Sequence, residues 1–175
     1  GKGKTLEYRD EQPTYHKHES VGAKMFQDIA QRLKFSNDER QAITFAIENH
    51  MKGHNIDKMS SKKVLGLRQD KNWQRLKDVM WSDESVRGNL FNPEEFDKKM
   101  DYVEKIYNDF GDREEFEKRM SQLINGKMIM ELIPDIKGQD IGKVKNMVRD
   151  EIIQRKFNVS LDEVKDLIFK HFKHI

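Results

Sequence analysis

The chain contains no cysteine and only three prolines among its 175 residues, and no apolar run approaches the length needed to cross a bilayer. Without cysteine there is no disulfide, no thiolate zinc site and no cysteine nucleophile. No charged segment followed by an apolar stretch opens the sequence, so no signal peptide is read from it. It starts at Gly1 rather than Met, as expected of a processed piece. These absences suit a cytoplasmic protein without membrane contact. Asp-x-Asp is also missing. Two-metal nucleotidyl transfer needs closely paired carboxylates, usually placed by the two-residue period of a strand, so no complete transferase site is expected. Gly3-Lys4-Thr5 imitates the end of a phosphate-binding loop but lacks the upstream glycine and strand that the motif requires.

What is present is helical periodicity. Val21, Met25, Ile29 and Leu33 recur every four residues and predict an amphipathic helix. Ser36-x-x-Glu39 reads as a capping box opening a helix with Ile43, Ile47 and His50 on its apolar face, stopped near Gly53. Val64 and Leu67 mark a third helix, and Leu76, Val79, Met80 and Asp83 a fourth. Asn92-Pro93 is an N-cap followed by proline at the first helical position, before Phe96, Met100, Val103, Tyr107 and Phe110. Phe116, Met120 and Leu123 define another helix, expected to end at Asn125-Gly126. A helix from Gln139 to Phe157 follows, then a second capping box, Ser160-x-x-Glu163, with Val164, Ile168 and Phe172 behind it. Only residues 4–15 read as a loop or short hairpin. The fold class is therefore all-α, with a first unit at 1–89 and a second at 90–175 divided near Gly88-Asn89.

Net charge is only +2, although 37% of residues are charged. Residues 1–91 carry net +4, residues 92–126 net −4 and residues 127–175 net +2. Lys52, Lys58, Lys62, Lys63, Arg68, Lys71, Arg75 and Lys77 face only Asp57 and Asp70 within their segment, a local +6 suited either to phosphates or to solvent. Trp73 lies among them, placed either to stack on a base or to fill a core. Lys137-Gly138-Gln139 leads into a helix carrying Gly142 and Lys143. Exposed amides at a helix start beside lysines form an anion site, as in helix-hairpin-helix modules; equally, the two glycines serve a tight turn and close packing. His18, His50 and Asp83 sit at or on apolar helix faces, where a polar group needs a partner. A mutual hydrogen-bond network and a shared metal both satisfy that need.

Several stretches, taken in order, resemble a known family. They are Tyr15-His16-Lys17-His18-Glu19-Ser20-Val21-Gly22-Ala23, Arg32-Leu33-Lys34-Phe35-Ser36, Glu48-Asn49-His50-Met51, Ile124-Asn125-Gly126-Lys127, Met130-Glu131-Leu132 and Gly138-Gln139-Asp140-Ile141-Gly142-Lys143. Together they resemble the HD-type helical domain and C-terminal body of tRNA nucleotidyltransferases (CCA-adding enzymes) and bacterial poly(A) polymerases. Lys137 stands where the family's turn carries a proline. The resemblance implies an HD-like domain followed by an RNA-binding body and tail. It implies tRNA or another RNA as partner, and a catalytic head, in this chain's full protein or in a separate one, holding Mg2+. No catalytic residue and no cofactor is expected in this chain itself. Gly1-Lys2 look like the end of the family's His-Asp-Ile-Gly-Lys run, so the His-Asp pair would precede residue 1. By the same resemblance, His18, His50 and Asp83 fall where intact HD phosphohydrolases place later metal ligands, here as a vestige. A truncated metal phosphohydrolase acting on nucleotides or cyclic phosphates is the alternative, and a helical protein-binding adaptor a third.

Overall fold

The structure, a computed structural model, describes residues 1–86 and 88–174. The fold is all-α apart from one hairpin. Its helices are α1 (His18–Arg32), α2 (Asn37–Asn49), α3 (Ser61–Arg68), α4 (Trp73–Ser85), α5 (Pro93–Phe110), α6 (Arg113–Leu123), α7 (Gly126–Leu132), α8 (Gly138–Gln154) and α9 (Leu161–Phe172). The hairpin pairs β1 (Glu7–Arg9) with β2 (Gln12–Thr14), antiparallel, with Tyr8 opposite Pro13. Its two-residue turn, Asp10-Glu11, takes positive φ at both positions, the form whose twist matches paired strands.

Both capping boxes form. Ser36 accepts from the amide of Glu39 while Glu39 accepts from the amide of Ser36, and Ser160 and Glu163 repeat the arrangement. Asn92 Oδ1 accepts from the amides of Glu94 and Glu95 at 3.1 and 3.3 Å, fixing the start of α5. Asn125 does not end a helix with Gly126, as the sequence suggested. Its side chain accepts from the Met128 amide at 2.9 Å and so opens α7.

The chain divides into two compact units, residues 1–59 with 70–102 and residues 60–69 with 103–175. This differs from the division near Gly88-Asn89 for two physical reasons. The apolar stripe of α5 runs through Phe96, Met100, Val103 and Phe110, all buried, so the helix contributes to both units and the division falls within it, between Tyr102 and Val103. The buried face of α3, with Val64, Leu65 and Leu67, packs with α8 and so belongs to the second unit.

In the first unit α1 packs on α2 through small residues. Ala23 and Ala30 are buried on one helix, Ala42 and Ala46 on the other. The stripe predicted to face inward on α1 faces out instead: Met25, Ile29 and Leu33 are 39%, 38% and 59% exposed. Helix axes approach closely only where side chains are short, so the alanine face takes the contact and the larger side chains flank it. Gly53 does not stop α2. The helix ends at Asn49 and tightens into a 3-10 run, His50–Lys58, in which Gly53 is buried. A Cβ there would lie 2.9 Å from Met80 Cγ, so glycine permits the close approach of α4.

In the second unit Val144, Val148, Ile152, Val164, Leu167 and Ile168 join α8 to α9. Phe172, expected inside, is 37% exposed. α8 ends at Gln154, short of Phe157, in a Schellman turn. Phe157 N–H donates to Ile152 O and Lys156 N–H to Ile153 O, both at 3.0 Å, with Lys156 at φ 50°. The turn swings Phe157 against Phe110 and Phe116, whose ring centroids lie 5.8 and 5.6 Å away.

Candidate nucleic-acid interface and histidine cleft

The eight cations between residues 52 and 77 do not form one patch on one unit. Lys52, Lys58, Lys71, Arg75 and Lys77 belong to the first unit, and Lys62, Lys63 and Arg68 to the second. Several are already engaged. Arg68 makes a fork to Glu104 at 2.8 and 3.0 Å, its guanidinium 3.9 Å from the centre of the Tyr107 ring. Such a bidentate, stacked arginine is a structural clamp. Lys71 Nζ donates to Asp38 Oδ1 at 2.8 Å, and this bond holds the Asp38 carboxyl below its ordinary range. Lys62 Nζ lies 2.6 Å from Asp150 Oδ1, close enough for an ion pair, although its angle misses a hydrogen bond and that oxygen has no other donor. Lys52 donates to Asn49 Oδ1. Trp73 is 6% exposed and fills the core beneath α4, so its ring is not offered to a base. The side chains of Lys58, Lys63 and Arg75 are exposed and make no hydrogen bond or ion pair among the described residues, although Arg75, after the bonds from Ser36, helps to hold the Glu39 carboxyl below its ordinary range, and Lys77 is half-buried.

The second expected patch is open. Lys137, Gly138 and Gln139 are exposed at the start of α8. Lys137 occupies the N-cap position with extended backbone and supplies no side-chain cap, unlike Ser36, Asp112, Asn125 and Ser160 on their helices. The amides of Asp140 and Ile141 bond back to Lys137 O, whereas Gly138 and Gln139 N–H precede the first closed turn. A Cβ added at Gly138 or Gly142 would meet nothing within 4 Å, so these glycines serve no tight packing. Lys143 donates to Asp140 Oδ1 at 2.7 Å, three residues back on the same helix. That pair is exposed on the lysine side and worth little against a phosphate.

His18, His54 and Asp83 line one open cleft of the first unit, floored in part by Met51 and the hairpin residues Pro13 and Thr14. His50 joins it through His18: the two Nε2 atoms are 3.2 Å apart. Each ring is pinned from behind, His18 Nδ1 on Tyr15 O and His50 Nδ1 on Ile47 O, both at 2.8 Å. A carbonyl only accepts, so both Nδ1 atoms carry hydrogen and both Nε2 atoms turn to each other. Asp83 pairs with His54 rather than with His18 or His50: Oδ2 is 3.4 Å from His54 Nε2, while His54 Nδ1 meets Glu84 Oε1 at 2.5 Å. His54 was missed in the sequence. Its signal was a position four residues after His50, hidden by the assumption that the helix stopped at Gly53.

Among the described residues no group of three or more His, Asp or Glu side chains is spaced to hold a metal ion. Two imidazoles face each other, Asp83 and Glu84 are taken up by His54, and Glu19 lies 3.7 Å from His18 Nδ1, the nitrogen already bonded to Tyr15 O, so the residues do not fit the metal set that the resemblance implies. No helix of the described residues is long and apolar enough to cross a membrane. Comparison with known protein families, curated proteins and solved structures finds no match.

Proposed function

We propose that this chain is an RNA-binding helical module that grips and positions its RNA, tRNA foremost, for a nucleotidyltransferase head carrying the Mg2+ chemistry. The observation that carries the reading is the start of α8, where two uncapped amides, two open glycines, Lys137 and Lys143 stand together on the surface. Backbone N–H groups at the positive end of a helix dipole, flanked by ammonium groups, match a phosphate. The ordered set of family-like stretches supplies the RNA. Positioning alone can contribute much of a catalytic barrier by fixing the reacting end. The phosphohydrolase alternative draws on the His18–His50 pair, but no metal ligand set stands beside it among the described residues.

Direct binding tests the reading. Fluorescence polarisation with labelled tRNA should give saturable binding, lost or strongly weakened in Lys137→Glu with Lys143→Glu. A folded wild-type chain that does not bind tRNA at low salt would remove the proposal.

A further inference from the structure

A second groove of the first unit, about 430 Å3, runs between α1, α2 and the turn at Asp70-Lys71-Asn72. We propose that it holds a single nucleotide, with the base between the aromatic floor and the amide side chains and the phosphate at the Arg40 end; this rests on the RNA-binding reading and names an unpaired nucleotide as part of what is bound.

The floor is apolar. Phe26 and Ala30, four residues apart on α1, meet Phe45 of α2 there. Phe26 is held in place from behind. The α1 helix ends in a Schellman turn, with Phe35 N–H bonded to Ala30 O at 3.0 Å and Lys34 N–H to Gln31 O at 3.2 Å. That turn presents Phe35 edge-on to Phe26, centroids 5.7 Å apart. A rigid aromatic surface is what base stacking requires, and it tolerates every base.

The wall is a polar stripe. Asn37, Gln41, Thr44 and Glu48 are spaced four, three and four residues apart, one face of α2. Gln27 stands across from them on α1. None of these side chains makes a hydrogen bond among the described residues. Amides carry a donor and an acceptor side by side, the pattern that pairs with nucleobase edges.

The groove also has a direction. Arg40, without an ion-pair partner among the described residues, stands near the start of α2, and Glu48 near its end. They are separated by two turns, about 12 Å along the axis. The first-turn amides of α2 are partly committed to the capping box, so attraction for phosphate falls chiefly to Arg40. Glu48 at the other end accepts from an exocyclic amine, as carboxylates do from cytosine. Asp70 is already occupied by the backbone and side-chain N–H groups of Asn72, and Lys71 by Asp38, so neither competes.

The test is a titration of the 15N-labelled full chain with AMP, CMP, GMP, UMP and ribose 5-phosphate, followed by backbone amide shifts. Nucleotides up to about 10 mM, tenfold above a millimolar Kd, should shift amides of residues 26–30, 37–48 and 70–72, while ribose 5-phosphate should not. Gln41→Ala and Arg40→Glu, both exposed and expected to fold, should each weaken nucleotide binding at least about five-fold, the scale of one hydrogen bond or charge contact. A single-stranded hexanucleotide that competes where a blunt duplex does not assigns the site to an unpaired residue of RNA; competition by mononucleotide alone assigns it to free nucleotide. Absence of shifts in the groove, or shifts unchanged by both substitutions, overturns the inference. A wild-type chain that binds tRNA but gives no groove shifts would sink this inference and leave the α8 reading standing. Groove shifts without tRNA binding would remove the α8 reading and with it the RNA occupant, leaving the groove as a site for free nucleotide.

Discussion

His18 and His50 meet Nε2 to Nε2 at 3.2 Å, each with its Nδ1 bonded to the carbonyl of the residue three before it. With both Nδ1 atoms as donors, the central contact is a hydrogen bond only when one further proton lies between the rings. Removing one partner strands the other in a partly buried place. His50→Leu should therefore cost about 1–3 kcal/mol, while His18→Leu with His50→Leu should cost less than the sum of the two single changes. Urea unfolding of the four proteins measures the coupling. Strict additivity, within about 0.5 kcal/mol, would show that the two rings do not depend on each other.

The same cleft offers two facing imidazoles, not a three-ligand set. Metal analysis of protein purified without chelator should find no stoichiometric zinc, iron or manganese, and EDTA should leave Tm unchanged. One equivalent of bound metal, with a lower Tm after chelation, would contradict this account of the cleft.

Lys34 and Lys156 occupy the left-handed position of their Schellman turns at φ 56° and 50°. A side chain there is strained where glycine is not. Lys34→Gly should raise stability by about 0.5–1 kcal/mol. Lys156→Gly should gain less, because Lys156 Nζ also donates to Asp109 Oδ2 at 2.6 Å and that pair is lost. Thermal unfolding of both variants checks the order; a loss of stability in Lys34→Gly would contradict it.

The caps and the long stripes were legible because they are local. Ser36 with Glu39, Ser160 with Glu163, and Asn92 before Pro93 each encode a helix start within four residues. The stripe of α5 was legible because its large side chains are also its buried ones. The face of α1 was not, since the contact with α2 runs through Ala23, Ala30, Ala42 and Ala46, and apolar periodicity weighs size over closeness. At the candidate sites, the helix start after Lys137 was legible because a Lys-Gly-Gln turn is a local feature. The pairing of the cations from Lys52 to Lys77 was not legible, because charge along a sequence says nothing of which carboxylates tertiary folding will bring: Glu104 lies 36 residues from Arg68 and Asp38 lies 33 from Lys71.

Glu151 accepts from Lys170 Nζ at 2.8 Å and lies 2.7 Å from His171 Nε2, and the lysine bond first, then the histidine, holds its carboxyl below the ordinary range against the opposing pull of burial. A carboxylate whose folded pKa is depressed contributes stability above its unfolded value, about 4.3, and loses it as pH falls below that. Glu117, held down by its fork from Arg149, behaves alike. Stability should decline below about pH 4.3, and Glu151→Gln should flatten that decline while lowering the urea midpoint at pH 7. An unchanged acid profile in Glu151→Gln would show that this network does not link α8 to α9 energetically.

The central claim is that the start of α8 holds RNA phosphate, and the salt dependence of tRNA affinity tests it most directly. Phosphate contacts release counterions, so log affinity falls linearly with log salt, and each lost contact flattens the slope by about one unit. Titrations are needed for wild type, for Lys137→Glu with Lys143→Glu, and for Lys62→Glu with Lys63→Glu. The account predicts weaker binding and a slope flatter by about two units in the α8 variant. It predicts a smaller change in the Lys62 and Lys63 variant, whose Lys62 already faces Asp150. A folded α8 variant that keeps wild-type affinity and slope would contradict the claim and place the RNA surface elsewhere.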